Sequence, residues 1–301
     1  MNFKENNKLS AILNRLFKPY EERVPVVDKI MTAMLAHGII EERSDIVNDH
    51  IAFRTLGVPH LGVSSFEKIF LHYGYEKRDY FHFEGKKLNA WWYSPPSEEY
   101  PRIFISELRV GDLSPNAQEI IHSYTSFLTR DPVDSLNLDD VEEVGHFFEK
   151  SLWELPTYED YYQLNRESEY AAWVIYNRYY LNHYTISVHA LPKGYNTLEQ
   201  FNDFLESLGV KLNDAGGKIK TSPDGLLLQS STVADKVEAT FANGKTTMIP
   251  GSYLEFAERR PLPEFQHLPQ NELKREHLRD GFETGNADKI FESTFSTQTE
   301  R

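Results

Sequence analysis

The chain has 301 residues, a formal net charge of −14 and no cysteine. Disulfides, zinc–thiolate sites, iron–sulfur clusters and thiol nucleophiles are excluded, any metal must be held by nitrogen and oxygen, and the acidic balance argues against a broad nucleic-acid-binding surface. A 40% hydrophobic content supports a real core, while no apolar run approaches the roughly 20 residues of a membrane helix and the polar start lacks a secretory signal, so a soluble, cytoplasmic protein without nucleic-acid or membrane partners is expected.

Residues 8–37 read as two helices. Leu9, Ile12, Leu13 and Leu16 share a face of the first, and Val27, Ile30, Met31, Met34 and Leu35 share a face of the second, with Gly38 as terminator. HIAFRTL from His50 is a strand pattern, broken by Gly57 and Pro59. Ser64 and Glu67 predict a capping box for a short helix ending near Gly74. YEKRDYFHF, KLNAWWY and RIFISEL then read as three strands. This β-α-β-β-β order recurs. LNHYTISVHAL predicts a strand from Leu181, Asn196 and Glu199 a cap for TLEQFNDFLESL, and LLLQSST, KVEATFA and KTTMIPGSYLEF three more strands, with Asn243-Gly244 as a hairpin turn.

This repeat resembles the paired modules of the vicinal-oxygen-chelate superfamily, and the resemblance implies an α+β fold with two βαβββ modules forming a curved, barrel-like sheet around a metal. The predicted arrangement is one catalytic domain over 1–301. It comprises a helical N-terminal layer (1–45), a first module (46–110), a helical insertion (111–178), a second module (179–262) and a tail (263–301). NELKREHLRD in the tail is a helix candidate, and the last dozen residues are expected to be disordered.

Alternate residues of a strand share a face. His50, Ala52 and Arg54 point one way; so do His183, Thr185, Ser187 and His189 on another strand, and Tyr253, Glu255 and Ala257 on a third. Two imidazoles and a carboxylate on three neighbouring strands make a facial triad that suits iron(II) and leaves positions for substrate and dioxygen. What singles out His50, His183 and Glu255 is position: the opening strand of each module and the closing strand of the second. His82 and His189 are candidate supporting donors, and Glu107 in RIFISEL a candidate fourth ligand or support. His37, His60, His72, His122, His146, His267 and His277 are read as ordinary surface or core residues.

Five segments, NDHIAFRTL, RIFISELR, YLNHYTISVHAL, QSSTVADKVEATFANG and IPGSYLEFAERR, occur in the order found in the 2-oxoadipate dioxygenase/decarboxylase family, which the chain resembles from about Asn48 to Pro261. The family's fold is similar to that of hydroxyphenylpyruvate dioxygenase and hydroxymandelate synthase. The resemblance implies an Fe(2+) cofactor on His50, His183 and Glu255, with Arg54 as a catalytic residue that binds the substrate carboxylate and His50 and Arg54 flanking the substrate. It also implies a 2-oxo (di)carboxylic acid and O2 as partners, with 2-oxoadipate giving 2-hydroxyglutarate and CO2. The best-known members are longer and carry further C-terminal segments. Two rival readings stand beside this one: a glyoxalase-type isomerase or lyase using zinc, nickel or manganese, and a vestigial metal-free binding module.

Overall fold

In the computed structural model, which describes residue 3 and residues 7–301, two amphipathic helices form the first layer. α1 (Lys8–Arg23) buries Leu9, Ile12, Leu13 and Leu16, the stripe that a 3.6-residue period produces. Asn7 caps it by accepting the Ser10 N–H at 3.0 Å. α2 (Pro25–Ala36) begins on a proline, whose missing N–H is harmless in the first turn, and buries Val27, Ile30, Met31 and Met34. Leu35, expected on that face, is 37% exposed. Gly38, at φ 64°, ends the helix.

The first module is β1 (Asn48–Leu56), α3 (Val63–His72), β2 (Glu76–Phe83), β3 (Leu88–Ser94) and β4 (Arg102–Leu108). Ser64 and Glu67 do not cap α3. Its N-cap is Gly62 at φ 81°, and the Val63 N–H is accepted at 2.9 Å by the carboxylate of Glu107. A Cβ on Gly62 would lie 2.7 Å from that carboxylate, so glycine is needed there for both conformation and space. Between the modules lie α4 (Pro115–Thr125), α5 (Val141–Glu149), α6 (Tyr158–Glu167) and α7 (Glu169–Asn177).

The second module departs from its expected boundaries. β5 is only His183–Ser187, and residues 188–190 turn as a 3-10 helix, so His189 leaves the strand. α8 (Leu198–Ser207) is capped by Thr197, which accepts the Gln200 N–H, rather than by Asn196. The next sheet strand, β6 (Lys220–Thr221), is two residues long and too short to show any alternation. β7 (Leu227–Ser231) follows. β8 (Lys236–Thr240) and β9 (Thr246–Pro250) form a separate two-stranded ribbon around the Asn243-Gly244 turn, and Gly251-Ser252 divides β9 from β10 (Tyr253–Arg259).

The eight-stranded sheet runs β2-β3-β4-β1-β5-β10-β7-β6: two copies of one unit joined through β1 and β5. Within each copy the opening and closing strands are parallel, with His50 opposite Arg102 and His183 opposite Tyr253. At the join β1 and β5 are antiparallel, with Ile51 opposite Tyr184. A two-fold through that pair exchanges His50 with His183 and Arg102 with Tyr253. Two residues further along the closing strands, it exchanges Phe104 with Glu255.

The opposite face of β1 packs into helices. Phe53 meets Phe66 of α3 at 4.7 Å and Phe148 of α5 at 6.2 Å between ring centroids. Burying side chains of this kind contributes roughly 1.5–3 kcal/mol each, which fixes the strand with His50, Ala52 and Arg54 turned the other way. The tail differs from expectation. NELKREHLRD forms only 3-10 turns, at Gln270–Glu272 and Arg275–His277. The final residues are not loose: α9 (Thr284–Ile290) leads to a 3-10 turn with Phe291, Ser293 and Thr294 buried. Asn213 holds this segment through the Lys289 carbonyl (3.0 Å) and Ser293 Oγ (2.9 Å), and Glu169 accepts the Ser296 N–H at 2.6 Å. Among the described residues, no helix is long and apolar enough to cross a membrane.

Candidate metal centre and substrate cavity

His50, His183 and Glu255 come together on the inner face, each buried, each offering one ligand atom, and these atoms lie within 4.8 Å of one another. His50 Nε2 is 3.4 Å from His183 Nε2 and 3.4 Å from Glu255 Oε1, and His183 Nε2 is 3.0 Å from Glu255 Oε2. Thr185 Oγ1, opposite on β5, lies 3.1 Å from His50 Nε2.

Each donor is aimed by a second group. Asp49 Oδ1 lies 2.8 Å from His50 Nδ1; a carboxylate can only accept, so the proton sits on Nδ1 and the Nε2 lone pair faces inward. Asn182 Oδ1 stands 3.1 Å from His183 Nδ1, and Gln229 Nε2 donates to Glu255 Oε1 at 2.7 Å. Asn286 of α9 in turn donates to Gln229 Oε1 at 3.1 Å. Imidazoles with Nδ1 engaged and Nε2 converging on a carboxylate are the arrangement that orients metal ligands, and the residues present fit a divalent ion with nitrogen and oxygen ligands.

The charges agree with that fit. Burial alone would raise the Glu255 carboxyl, but His50 and His183 pull it well below the usual carboxylate range. Burial lowers His183. Burial would lower His50 too, yet the Glu255 charge and the Asp49 hydrogen bond leave it raised. Asp49 is likewise buried, and the charges of Arg259 and Arg102 keep it well below its ordinary value.

Beside the triad is a small cavity of about 20 Å³, walled by Phe104, Phe282 and Phe291 and by Arg54, Asn182 and Tyr253. Arg54 is 1% exposed. Its hydrogen-bond acceptors are both neutral, Thr294 Oγ1 at 2.9 Å and the Phe291 carbonyl at 3.1 Å. Its Nε has no partner, and among the described residues no carboxylate stands within ion-pair distance. The guanidinium lies over Tyr170 and Trp173, 5.1 and 5.2 Å from their ring centroids, and burial pulls its pKa down. Two more buried donors on the same cavity lack a partner of good hydrogen-bond geometry: Asn182 Nδ2 and the Tyr253 hydroxyl, whose polar neighbours are Arg54 and Ser293. Buried donors left unsatisfied are costly and mark a place built for a ligand.

The other candidates lie elsewhere. His82 is exposed on β2 and pairs with Glu84 at 2.7 Å. His189 Nδ1 accepts the Arg259 N–H at 3.1 Å beyond the end of β5. Glu107 caps α3, and the register makes Phe104, not Glu107, the counterpart of Glu255. The sequence reading placed Tyr253 on the Glu255 face without giving it a role, and it missed Asp49, Asn182, Gln229 and Arg259. For Asp49 and Asn182 a signal was available, since each precedes a candidate histidine; the others depend on tertiary contacts.

The fold and site together define a protein of two vicinal-oxygen-chelate-like modules with a buried His-His-carboxylate set that could hold a metal beside an apolar cavity. The sequence profile of the 2-oxoadipate dioxygenase/decarboxylase family matches residues 12–270, and the chain belongs to that family. It is similar to the chloroplastic/amyloplastic 2-oxoadipate dioxygenase/decarboxylase of Oryza sativa subsp. japonica, 44% identical over 97% of this chain and 80% of that protein. The chloroplastic Arabidopsis thaliana protein of the same name is 42% identical over 97% of this chain and 78% of its own. Among solved structures, the Oryza sativa hydroxyglutarate synthase in complex with 2-oxoadipate aligns with a TM-score of 0.89 at 42% identity, covering 100% of this chain and 96% of that one. These relatives overturn the expected cytoplasmic location, because both curated ones are plastid proteins. A chain without cysteine excludes disulfides but does not distinguish one reducing compartment from another.

Proposed function

We propose that this chain is an iron(II)-dependent 2-oxoadipate dioxygenase/decarboxylase, converting 2-oxoadipate and O2 to 2-hydroxyglutarate and CO2. The observation that carries the reading is one cavity in which a convergent His50-His183-Glu255 set meets three unpartnered buried donors, Arg54 Nε, Asn182 Nδ2 and the Tyr253 hydroxyl. Membership in the family supplies the reaction class.

When bound to the triad, iron(II) supplies the redox chemistry that activates O2 and decarboxylates the 2-oxo acid. The protein supplies the rest. Asp49 keeps the proton on His50 Nδ1 and its Nε2 free to bind. Arg54 takes a substrate carboxylate in its planar fork, replacing the neutral Thr294 and Phe291 acceptors it now uses. Asn182 and Tyr253 donate to substrate oxygens from the same wall. Phe104, Phe282 and Phe291 exclude water, which strengthens each of these polar contacts.

The test is an oxygen electrode with a panel of 2-oxo acids, iron(II) and ascorbate. Equimolar O2 uptake and CO2 release are expected with 2-oxoadipate. Undiminished turnover under strict anaerobiosis would replace the oxygenase with a metal-dependent isomerase or lyase.

A further inference from the structure

On the other side of the Asp49–Arg259 pair from the triad lies a second, much larger cavity of about 660 Å³. Its walls are the start of β1, the turn after β5, the end of β10 and the loop carrying Arg275. That volume is in the range of small-molecule sites, and nothing in the proposed reaction uses it.

Its cations are unevenly satisfied. Arg259 spends its donors on Asp49 and on the Arg279 and Gly281 carbonyls, and Arg260 is paired with Glu258 at 2.7 Å. Two guanidiniums are left short. Arg102, 3% exposed, uses Nε on Asp280 at 2.6 Å and reaches Asp49 Oδ2 only at 3.6 Å, and its Nη2 has no partner. Arg275 gives Nη1 to the Glu98 and Tyr100 carbonyls at 3.0 and 2.8 Å, and its Nη2 is also buried and unpartnered. No carboxylate is within ion-pair distance of Arg275 among the described residues.

The two groups also feel each other. Burial and then the charge of Arg259 lower Arg102 to about 10, and Arg275 contributes to the same lowering. Of the three carboxylates on the wall, Asp49 is committed to Arg259 and Glu258 to Arg260 and the Leu198 N–H, while Glu98 is exposed and meets Arg275 through its backbone carbonyl rather than its side chain. In a chain of net charge −14, clustered cations with spare buried donors form a local exception to a field that repels anions.

We propose that this cavity is a binding site for a small oxyanion, a carboxylate or phosphate group bridging the Nη2 atoms of Arg102 and Arg275. Each contact is a charge-assisted hydrogen bond, so removing one guanidinium weakens binding by roughly tenfold or more. The site is separate from the one that receives the 2-oxo acid, and the assignment does not depend on the reaction proposed above.

The experiment is calorimetric titration of the full chain with inorganic phosphate and, separately, glutarate at constant ionic strength. One saturable site for at least one of them is expected, weakened about tenfold or more in Arg275→Gln and in Arg102→Lys and unchanged in Arg54→Lys. The two titrants distinguish a phosphate from a carboxylate ligand. Arg275 lies on a 3-10 turn outside the sheet, so its variant is the less disruptive of the two, and circular dichroism checks that each variant keeps the fold. Absence of saturable binding for both anions overturns the proposal. So does binding that survives Arg275→Gln, which would assign the anion to the catalytic cavity or the metal.

Discussion

Arg259 grips Asp49 with two hydrogen bonds, Nε to Oδ2 at 2.6 Å and Nη2 to Oδ1 at 2.9 Å, although the two residues are 210 positions apart. The closing strand of one module thereby fixes the group that orients the first histidine of the other. Asp49→Asn keeps the shape but removes the charge opposite a buried arginine. It should cost about 3–5 kcal/mol of stability and about 10- to 100-fold in metal affinity. Chemical denaturation and metal titration against a competing chelator measure the two effects, and unchanged metal affinity would show that Asp49 serves the fold alone.

His50→Ala, His183→Ala and Glu255→Ala are each expected to abolish O2 consumption while leaving the sheet folded. The sharper readout is the thermal melt. Metal binding only the native state raises wild-type stability by mass action, and Glu255→Gln should lose that rise while melting without metal close to the wild type. A variant with full iron content and full activity would remove its residue from the centre.

Arg54→Lys retains a charge but not the fork. Iron content should stay at the wild-type level, and KM should increase far more for 2-oxo dicarboxylic acids than for monocarboxylic ones. If steady-state kinetics show equal effects on the two classes, Arg54 does not read the distal carboxylate.

Lys220 is buried on the short strand β6, with Nζ donating to the Asn213 carbonyl at 2.6 Å. Burial lowers its pKa to about 8, against the opposing pull of Glu255. The unfolded chain therefore binds the extra proton between about pH 8 and the ordinary lysine value. Stability contributed at this site rises with pH through that window, by up to about 1.4 kcal/mol per unit. Lys220→Met should flatten the stability profile there, as followed by denaturant midpoints at several pH values. An unchanged slope would mean that Lys220 titrates normally.

The sequence displayed the site more clearly than its surroundings. Period-two alternation is a local property, so HIAFRTL, HYTIS and YLEFAER could be assigned inward faces, and those faces carry His50, Arg54, His183 and Glu255 in the structure. What it concealed depends on distant partners. No local pattern announces that Asp49 will meet Arg259, or that Phe291 and Thr294 will close over Arg54. β6 escaped notice because two residues cannot alternate visibly, and the β8–β9 ribbon was read as part of the sheet because its alternation resembles that of a sheet strand. Glu107 was matched to Glu255 by membership of a closing strand, whereas hydrogen-bond register decides which residues correspond.

That register has a consequence for the shape of the reaction zone. A duplicated unit that kept its ligands in both halves would offer an ion two histidines and two carboxylates, one protein ligand more than the three brought together here. Here the two-fold that maps His50 onto His183 maps Glu255 onto Phe104. A phenyl ring donates nothing to a metal, so the residues that could hold one come from β1, β5 and β10, and the matching position on β4 supplies an apolar wall instead. That side of the triad belongs to the first module, where Phe104, Arg54 and the C-terminal segment form the cavity wall. The exchange of Glu255 for Phe104 thus leaves the triad one ligand short of a symmetric set and puts the apolar cavity on the side where that ligand is missing.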